Sequence, residues 1–271
     1  VAILAGAVSA IFVGLLAGSD LDPILWLMVG AGLIAALSFL DDRQGLPVTV
    51  RLVGHVIGAG VVVLAAGLTL PSPSTVAGWP PWLTSILSIL FLVWMVNLYN
   101  FMDGMDGLAG GMAAIGFGTF AVLGLLADNL PFLALSLCLA AAAGGFLLFN
   151  FPPARIFMGD TGSATLGLLA GGLSLWGAHD GVFPFWVAIL VFSPFIVDAT
   201  ATLARRLLRG DRVWQAHRTH YYQRLVQSGW GHRKTVLYEY ALMLTCGVSA
   251  LLVRQLNPQE QGVMVLFWAL A

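Results

Sequence analysis

The chain has 271 residues, of which 59% are hydrophobic and only 9% charged, and its formal net charge is -1. A soluble domain carries about 25% charged residues, so a water-soluble globule is excluded, and the near-zero charge offers nothing to nucleic acid. These are the proportions of an integral membrane protein.

A helix needs about 20 apolar residues to cross the hydrocarbon core. Runs of that order, separated by polar or Pro/Gly breaks, lie at roughly 1–18, 23–40, 50–70, 82–99, 108–127, 131–149, 164–179, 184–204, 235–253 and from 262 onward, the last cut off. The expected fold is all-α: a polytopic membrane bundle of about ten transmembrane helices in one domain over 1–271. The alternating ten-residue segments of a β-barrel are absent. The first run lacks the basic flank and cleavage pattern of a signal peptide. Cys138 and Cys246 lie singly in separate apolar runs, so neither a disulfide nor a metal site is suggested.

Threading ten runs back and forth sends the loops near 41–49, 100–107, 150–163 and 205–234 to one side. Arg43, Arg51, Arg155, Arg205, Arg206, Arg209, Arg212, Arg218, Arg224, Arg233 and Lys234 fall on or beside it, against Arg254 alone opposite. The positive-inside rule makes that side cytoplasmic. On the other side, Trp79, Trp82, Trp176 and Trp186 mark an interfacial belt, and Asp20, Asp22, Asp128 and Asp180 read as turn formers.

Four cytoplasmic motifs follow in chain order. Asp41 and Asp42 end the second run, where a negative pair opposes the helix dipole; they read as an Arg43-paired helix end or as a hard-cation ligand and base. After the fourth run, "NLYNFMDGMDGLAGG" carries Asp103 and Asp106. On a helix they would share a face and repel; as Asp-Gly pairs they would instead mark turns. "FNFPPARIFMGDTGSATLG" holds Asn150 and then Asp160 beside Thr161 and Ser163, a helix cap or an anion-facing turn. "HRTHYYQRL" holds His217, Arg218 and His220, suited either to phosphate or to anionic headgroups; zinc is poorly supported, for lack of an accompanying ligand pattern. Asp198, near the inner end of the eighth run, reads as a partner of Arg205 or Arg206. Acids, Arg/His donors and a Gly/Ser turn on one face suit phosphoryl transfer with a divalent metal at a membrane surface.

In this order, Asp-Asp-Arg, N-F-M-D-G-M-D-G-L-A, F-N-F-P-P-A-R-I-F-M-G-D-T-G-S and H-R-T-H resemble the polyprenyl-phosphate N-acetylhexosamine-1-phosphate transferases, glycosyltransferase family 4. The resemblance implies Mg2+-dependent transfer of a sugar 1-phosphate from a UDP-N-acetylhexosamine to a polyprenyl (undecaprenyl) phosphate, releasing UMP, in a multi-pass protein of the bacterial inner membrane, and it admits a homodimer. It implies Asp160 as the principal Mg2+ ligand and Asp41 and Asp42 as the pair handling the lipid phosphate. Asn100, Asp103, Asp106 and Asn150 would surround the nucleotide and diphosphate, with His217, Arg218 and His220 near the donor diphosphate. Arg43 after the acidic pair and the spaced histidines place it nearer the O-antigen and GlcNAc-type branch than the muramyl-pentapeptide branch. The chain begins at Val1 and ends in an apolar run, so the family's first helix and C-terminal end are expected to be missing. The rival reading is a proton- or ion-coupled transporter, which would place acids at mid-helix within an inverted repeat; a non-catalytic membrane scaffold is a third.

Overall fold

The computed structural model describes residues 22–71, 78–212 and 217–270, and all regular elements among them are helical. They are α1 (Asp22–Gln44), α2 (Val48–Ala65), α3 (Pro81–Met102), α4 (Leu108–Leu126), α5 (Leu130–Asn150), α6 (Gly159–His179), α7 (Phe185–Val191), α8 (Ser193–Leu208), α9 (Tyr221–Leu225), α10 (Gly231–Leu252) and α11 (Pro258–Leu270). Five of them, α1 to α5, are individually long and apolar enough to cross a membrane, and the continuous stretch Tyr221–Leu252 is a sixth such span. Outward-facing Leu25 and Leu33 on α1 and Val53, Ile57 and Leu64 on α2 are exposed, as side chains solvated by lipid tails would be.

The expected eighth run is not one straight helix. It breaks into α7 and α8, bent by 78°. Pro194 in the first turn of α8 has no N–H to continue the ladder of α7. Counted as one span, the pair makes a seventh.

The run at 164–179 belongs to α6, whose 21 residues extend about 31 Å at 1.5 Å per residue. Every side chain from Ser163 to Gly177 is buried, with α1 and α3 packed along it. Because α6 meets protein rather than lipid, it needs no uniformly apolar surface, and its Gly, Ser and Thr content leaves it outside the six. Gly167 permits the closest approach: a Cβ there would land on the Met95 carbonyl and the Val96 Cα of α3.

The tenth run forms α11, only 13 residues long, which is short for a span. The first run, at 1–18, lies outside the described residues. The expected ten spans are therefore six or seven among the described residues. The core between α4, α5, α6 and α7 is aromatic: Phe120 stacks on Phe183 at 4.9 Å, and Phe132 meets Trp176 edge-on at 5.3 Å. This packing brings the last turn of α1, the first turns of α2, the end of α3 and the start of α6 to one end of the bundle.

Candidate active site

Adjacent residues on a helix diverge by about 100°, and the acidic pair closing α1 divides accordingly. Asp41 turns inward and is buried; its Oδ1 accepts from the Leu46 N–H at 2.6 Å and its Oδ2 from Arg51 Nη1 at 2.9 Å. Asp42 reaches across to α6. It accepts from the Asp160 N–H and the Thr161 N–H, both at 3.1 Å, and from Thr161 Oγ1 at 2.7 Å. Asp42 thus caps a helix other than its own, satisfying two orphan N–H groups. The acid that opposes the dipole of α1 is offset by the positive end of α6. Arg43 does not pair with either aspartate; its guanidinium lies 4.3 Å over Phe39.

Asp160 stands in the first turn of α6, with its Oδ2 3.4 Å from the same Arg51 Nη1 that holds Asp41. One guanidinium therefore bridges two carboxyl groups more than a hundred residues apart. Asn100, in the last turn of α3, donates to Ser163 Oγ at 3.2 Å and also reaches Asp160. Asp41, Arg51, Asn100 and Asp160 line a cavity of about 90 Å3.

The backbone is not helical at both acids of the third motif. α3 ends at Met102, Asp103 is its C-terminal cap, and residues 104–107 turn. Asp103 and Asp106 therefore do not share a helix face, because the Asp-Gly pairs act as turn formers. Burial, then the nearby Asp160 carboxyl, pushes the Asp103 carboxyl up to about 7. Asp106 faces elsewhere. It accepts from the Ala154 N–H at 3.1 Å and lies 3.3 Å from His232 Nδ1.

Asn150 uses its amide as a bracket between the two loops. Its Oδ1 accepts from the Gly107 N–H at 2.9 Å and its Nδ2 donates to the Ile156 carbonyl at 2.8 Å. Gly107, at φ 77°, makes a turn that a side chain would strain. Tyr240 on α10 closes the same corner through Gly107 O at 2.7 Å.

His217 and His220 are not neighbours on a helix. They precede α9, with rings stacked 4.8 Å apart. Asp198 does not pair with Arg205 or Arg206 through any contact seen here; it gathers this loop. The buried carboxylate lies 3.0 Å from His220 Nδ1 and accepts from the Tyr221 N–H at 3.0 Å, the Tyr222 N–H at 3.1 Å and Thr202 Oγ1 at 3.1 Å. Burial, the Arg206 cation and His220 hold His217 down to about 4, so it is neutral at pH 7. Arg218 is exposed. Phe101 connects the two halves: it lines the Asp41–Asp160 cavity and stacks on His220 at 6.4 Å.

For a divalent metal, the donor set fits. Among the described residues no three His, Cys, Asp or Glu side chains converge as a ready-made cage. A hard ion such as Mg2+ does not need one, since it keeps several waters and binds one or two carboxylates plus substrate phosphates. Asp160 and Asp103, the first raising the cost of ionising the second, are the side chains that would hold it.

Residues 24–178 match the family model described as glycosyl transferase family 4. The chain belongs to that family. Among its relatives is a probable undecaprenyl-phosphate N-acetylglucosaminyl 1-phosphate transferase of Bacillus subtilis, 34% identical over 90% of this chain and 72% of the relative. A decaprenyl-phosphate N-acetylglucosaminephosphotransferase of Mycolicibacterium smegmatis is 33% identical, over 79% of this chain and 59% of the relative. A phospho-N-acetylmuramoyl-pentapeptide-transferase of Halalkalibacterium halodurans is 28% identical over 85% of this chain and 74% of the relative. Membership of family 4 leaves the transporter reading without support.

Within this family 4 chain, the geometry gathers Asp41, Asp42, Asn100, Asp103 and Asp160 around one mouth and sets His220 behind Phe101. It places Asp106 and Asn150 in the bracket beside that mouth. Sequence reasoning missed Arg51 and misread Asp198. Arg51 sits ten residues after Asp41, and only the antiparallel return of α2 makes them neighbours. For Asp198 the signal was a lone acid within an apolar run, which requires a partner; the sequence offered the nearest arginines, and the fold supplied His220.

Proposed function

We propose that this protein transfers a HexNAc-1-phosphate from a UDP-sugar to polyprenyl phosphate, giving a polyprenyl-diphospho-sugar and UMP, and so starts a lipid-linked cell-envelope glycan. The observation that carries the reading is the convergence of acids from α1 and α6 on Arg51 at one end of membrane-length helices, in a family 4 chain whose relatives are named for this chemistry. The basic loops support placing that end at the cytoplasmic face of the membrane, in this reading a bacterial inner membrane, where a soluble nucleotide sugar and a membrane lipid can meet. The greater identity to the N-acetylglucosamine enzymes supports a GlcNAc-type donor.

In the reaction an oxygen of the lipid phosphate attacks the β-phosphorus of the donor. That P–O bond forms as the bond from the β-phosphorus to the bridging oxygen breaks, and UMP leaves with the bridging oxygen. The attacking monoester is already largely ionised near pH 7, with a second pKa of about 6, so little general-base work is needed. Both oxygens of Asp42 are held by the start of α6, and those of Asp41 by Leu46 and Arg51. Neither is a free nucleophile, which supports direct attack over an aspartyl intermediate. Arg51 orients the acids and supplies positive charge where phosphates gather. Asn100 fixes the first turn of α6, and Asp198 holds His220 beside the mouth. Mg2+, held by Asp160 and Asp103, would neutralise charge on the donor diphosphate.

The test supplies membranes containing the protein with polyprenyl phosphate, Mg2+ and a panel of UDP-HexNAc donors, and measures UMP. One donor should release UMP, EDTA should stop it, and Asp160→Ala should abolish it. UMP from no donor, or full activity in Asp160→Ala, defeats the assignment.

A further inference from the structure

The cavity behind the acidic mouth continues into the bundle. Ser38, His55 and Asn97 line it with Asp41, Arg51 and Asn100. Ser38 lies three residues before Asp41, His55 four after Arg51 and Asn97 three before Asn100. Each is therefore one helical turn deeper than the residue it accompanies. Ser38 and His55 lie outside the acidic motifs and the His/Arg loop, and Asn97 opens the third motif without a role assigned to it.

All three are polar at a depth where an unmatched polar group costs free energy. Ser38 is 3% exposed and His55 is 7% exposed. Asn97 Nδ2 donates to the Val93 carbonyl at 2.7 Å and lies 3.4 Å from His55 Nδ1. An amide N–H can only donate, so His55 Nδ1 accepts and the ring proton sits on Nε2. The recess thereby presents a hydroxyl, an imidazole N–H and the Arg51 guanidinium as donors to an anion, with the Asp41 and Asp160 carboxylates, both held by that guanidinium, on the same lining.

Position chooses among anions. One side of its lining is apolar and exposed: Val48 and Leu52 line it and are 46% and 47% exposed on α2. A soluble donor would come to the aqueous mouth, whereas an anion fixed to a hydrocarbon chain would enter past this side.

We infer that the recess seats the terminal phosphate of the lipid acceptor, with His55 Nε2–H and the Ser38 hydroxyl donating to it and Asn97 fixing the His55 tautomer. The chain of the lipid leaves past Val48 and Leu52. This rests on the acceptor being a polyprenyl phosphate, and it names the residues that recognise its head.

The test is equilibrium binding of radiolabelled geranylgeranyl phosphate to the full chain in nanodiscs, without any donor, for wild type, His55→Leu and His55→Gln. UDP-GlcNAc binding is measured in parallel and reports both folding and the donor site. A neutral donor to a charged group is worth about tenfold or more in affinity, so His55→Leu should weaken lipid-phosphate binding about tenfold and leave UDP-GlcNAc binding within twofold. Glutamine, which keeps an N–H, should restore most of the loss. Inorganic phosphate should compete weakly and geranylgeraniol not at all. Unchanged lipid-phosphate binding in His55→Leu, a loss of UDP-GlcNAc binding instead, or competition by the alcohol equal to that of the phosphate would overturn the inference. Since no turnover is read, failure here is distinct from failure of wild type to release UMP, which would sink the transferase reading itself.

Discussion

Removing the Asp198 carboxylate tests whether the His/Arg loop is held by one buried acid. In Asp198→Ala, Thr202 loses only a neighbour on its own helix, but His220 Nδ1 and the Tyr222 N–H lose acceptors in a corner where both residues are at most 2% exposed. Each buried orphan costs about 1–3 kcal/mol, so the closed loop should lose about 3 kcal/mol. That lowers its population relative to open forms by about 10²-fold. UMP release at subsaturating donor should fall by a similar factor, and amides over 217–225 should exchange faster while those of α4 do not. Asp198→Asn keeps one acceptor oxygen and should lose about tenfold. Wild-type exchange over 217–225 together with an unchanged donor KM in Asp198→Ala would refute the clamp.

Asp42→Ala removes a cap from the start of α6 and should cost about 1 kcal/mol, up to about 2, whereas Asp42→Asn retains an acceptor and should recover part of that stability, as read from thermal unfolding in detergent. Gly167→Ala drives a methyl into the backbone of α3 and should cost about 1–3 kcal/mol; an unchanged Tm would contradict the close packing. For Asp103, the folded pKa of about 7 lies above the ordinary 3.8, so in EDTA the unfolded chain ionises it first and the folded state loses stability as pH rises through that window. The difference in Tm between wild type and Asp103→Asn should widen from pH 4 to 7 in EDTA and shrink when Mg2+ is added. A difference that stays flat would remove Asp103 from the metal site.

Individual elements show where sequence reasoning reaches. The run at 131–149 is uncharged from end to end and became α5 within a residue or two, because a backbone with no water to bond must satisfy itself as a helix. The run at 184–204 is apolar but for Ser193, Asp198, Thr200 and Thr202, and it bends at Phe192. Pro194 was visible, but hydropathy carries no term for the lost N–H. α6 differs in the opposite direction: the run at 164–179 was legible, but not the helix start at Gly159 or its place at the centre, since an apolar run does not show whether protein or lipid will cover it.

The sequence by itself determined the class of molecule and the end of the bundle on which most of the acids gather, since charges are too costly near a bilayer to be retained without partners. The tertiary structure decided what each partner is. Asp41 and Asp42 are one residue apart and serve different helices, Asp103 and Asp106 are three apart and face different loops, and Asp198 belongs to a histidine 22 residues away. A hydrogen bond is set by distances of about 3 Å, and in a bundle such distances depend on how helices pack, which spacing along the chain does not encode.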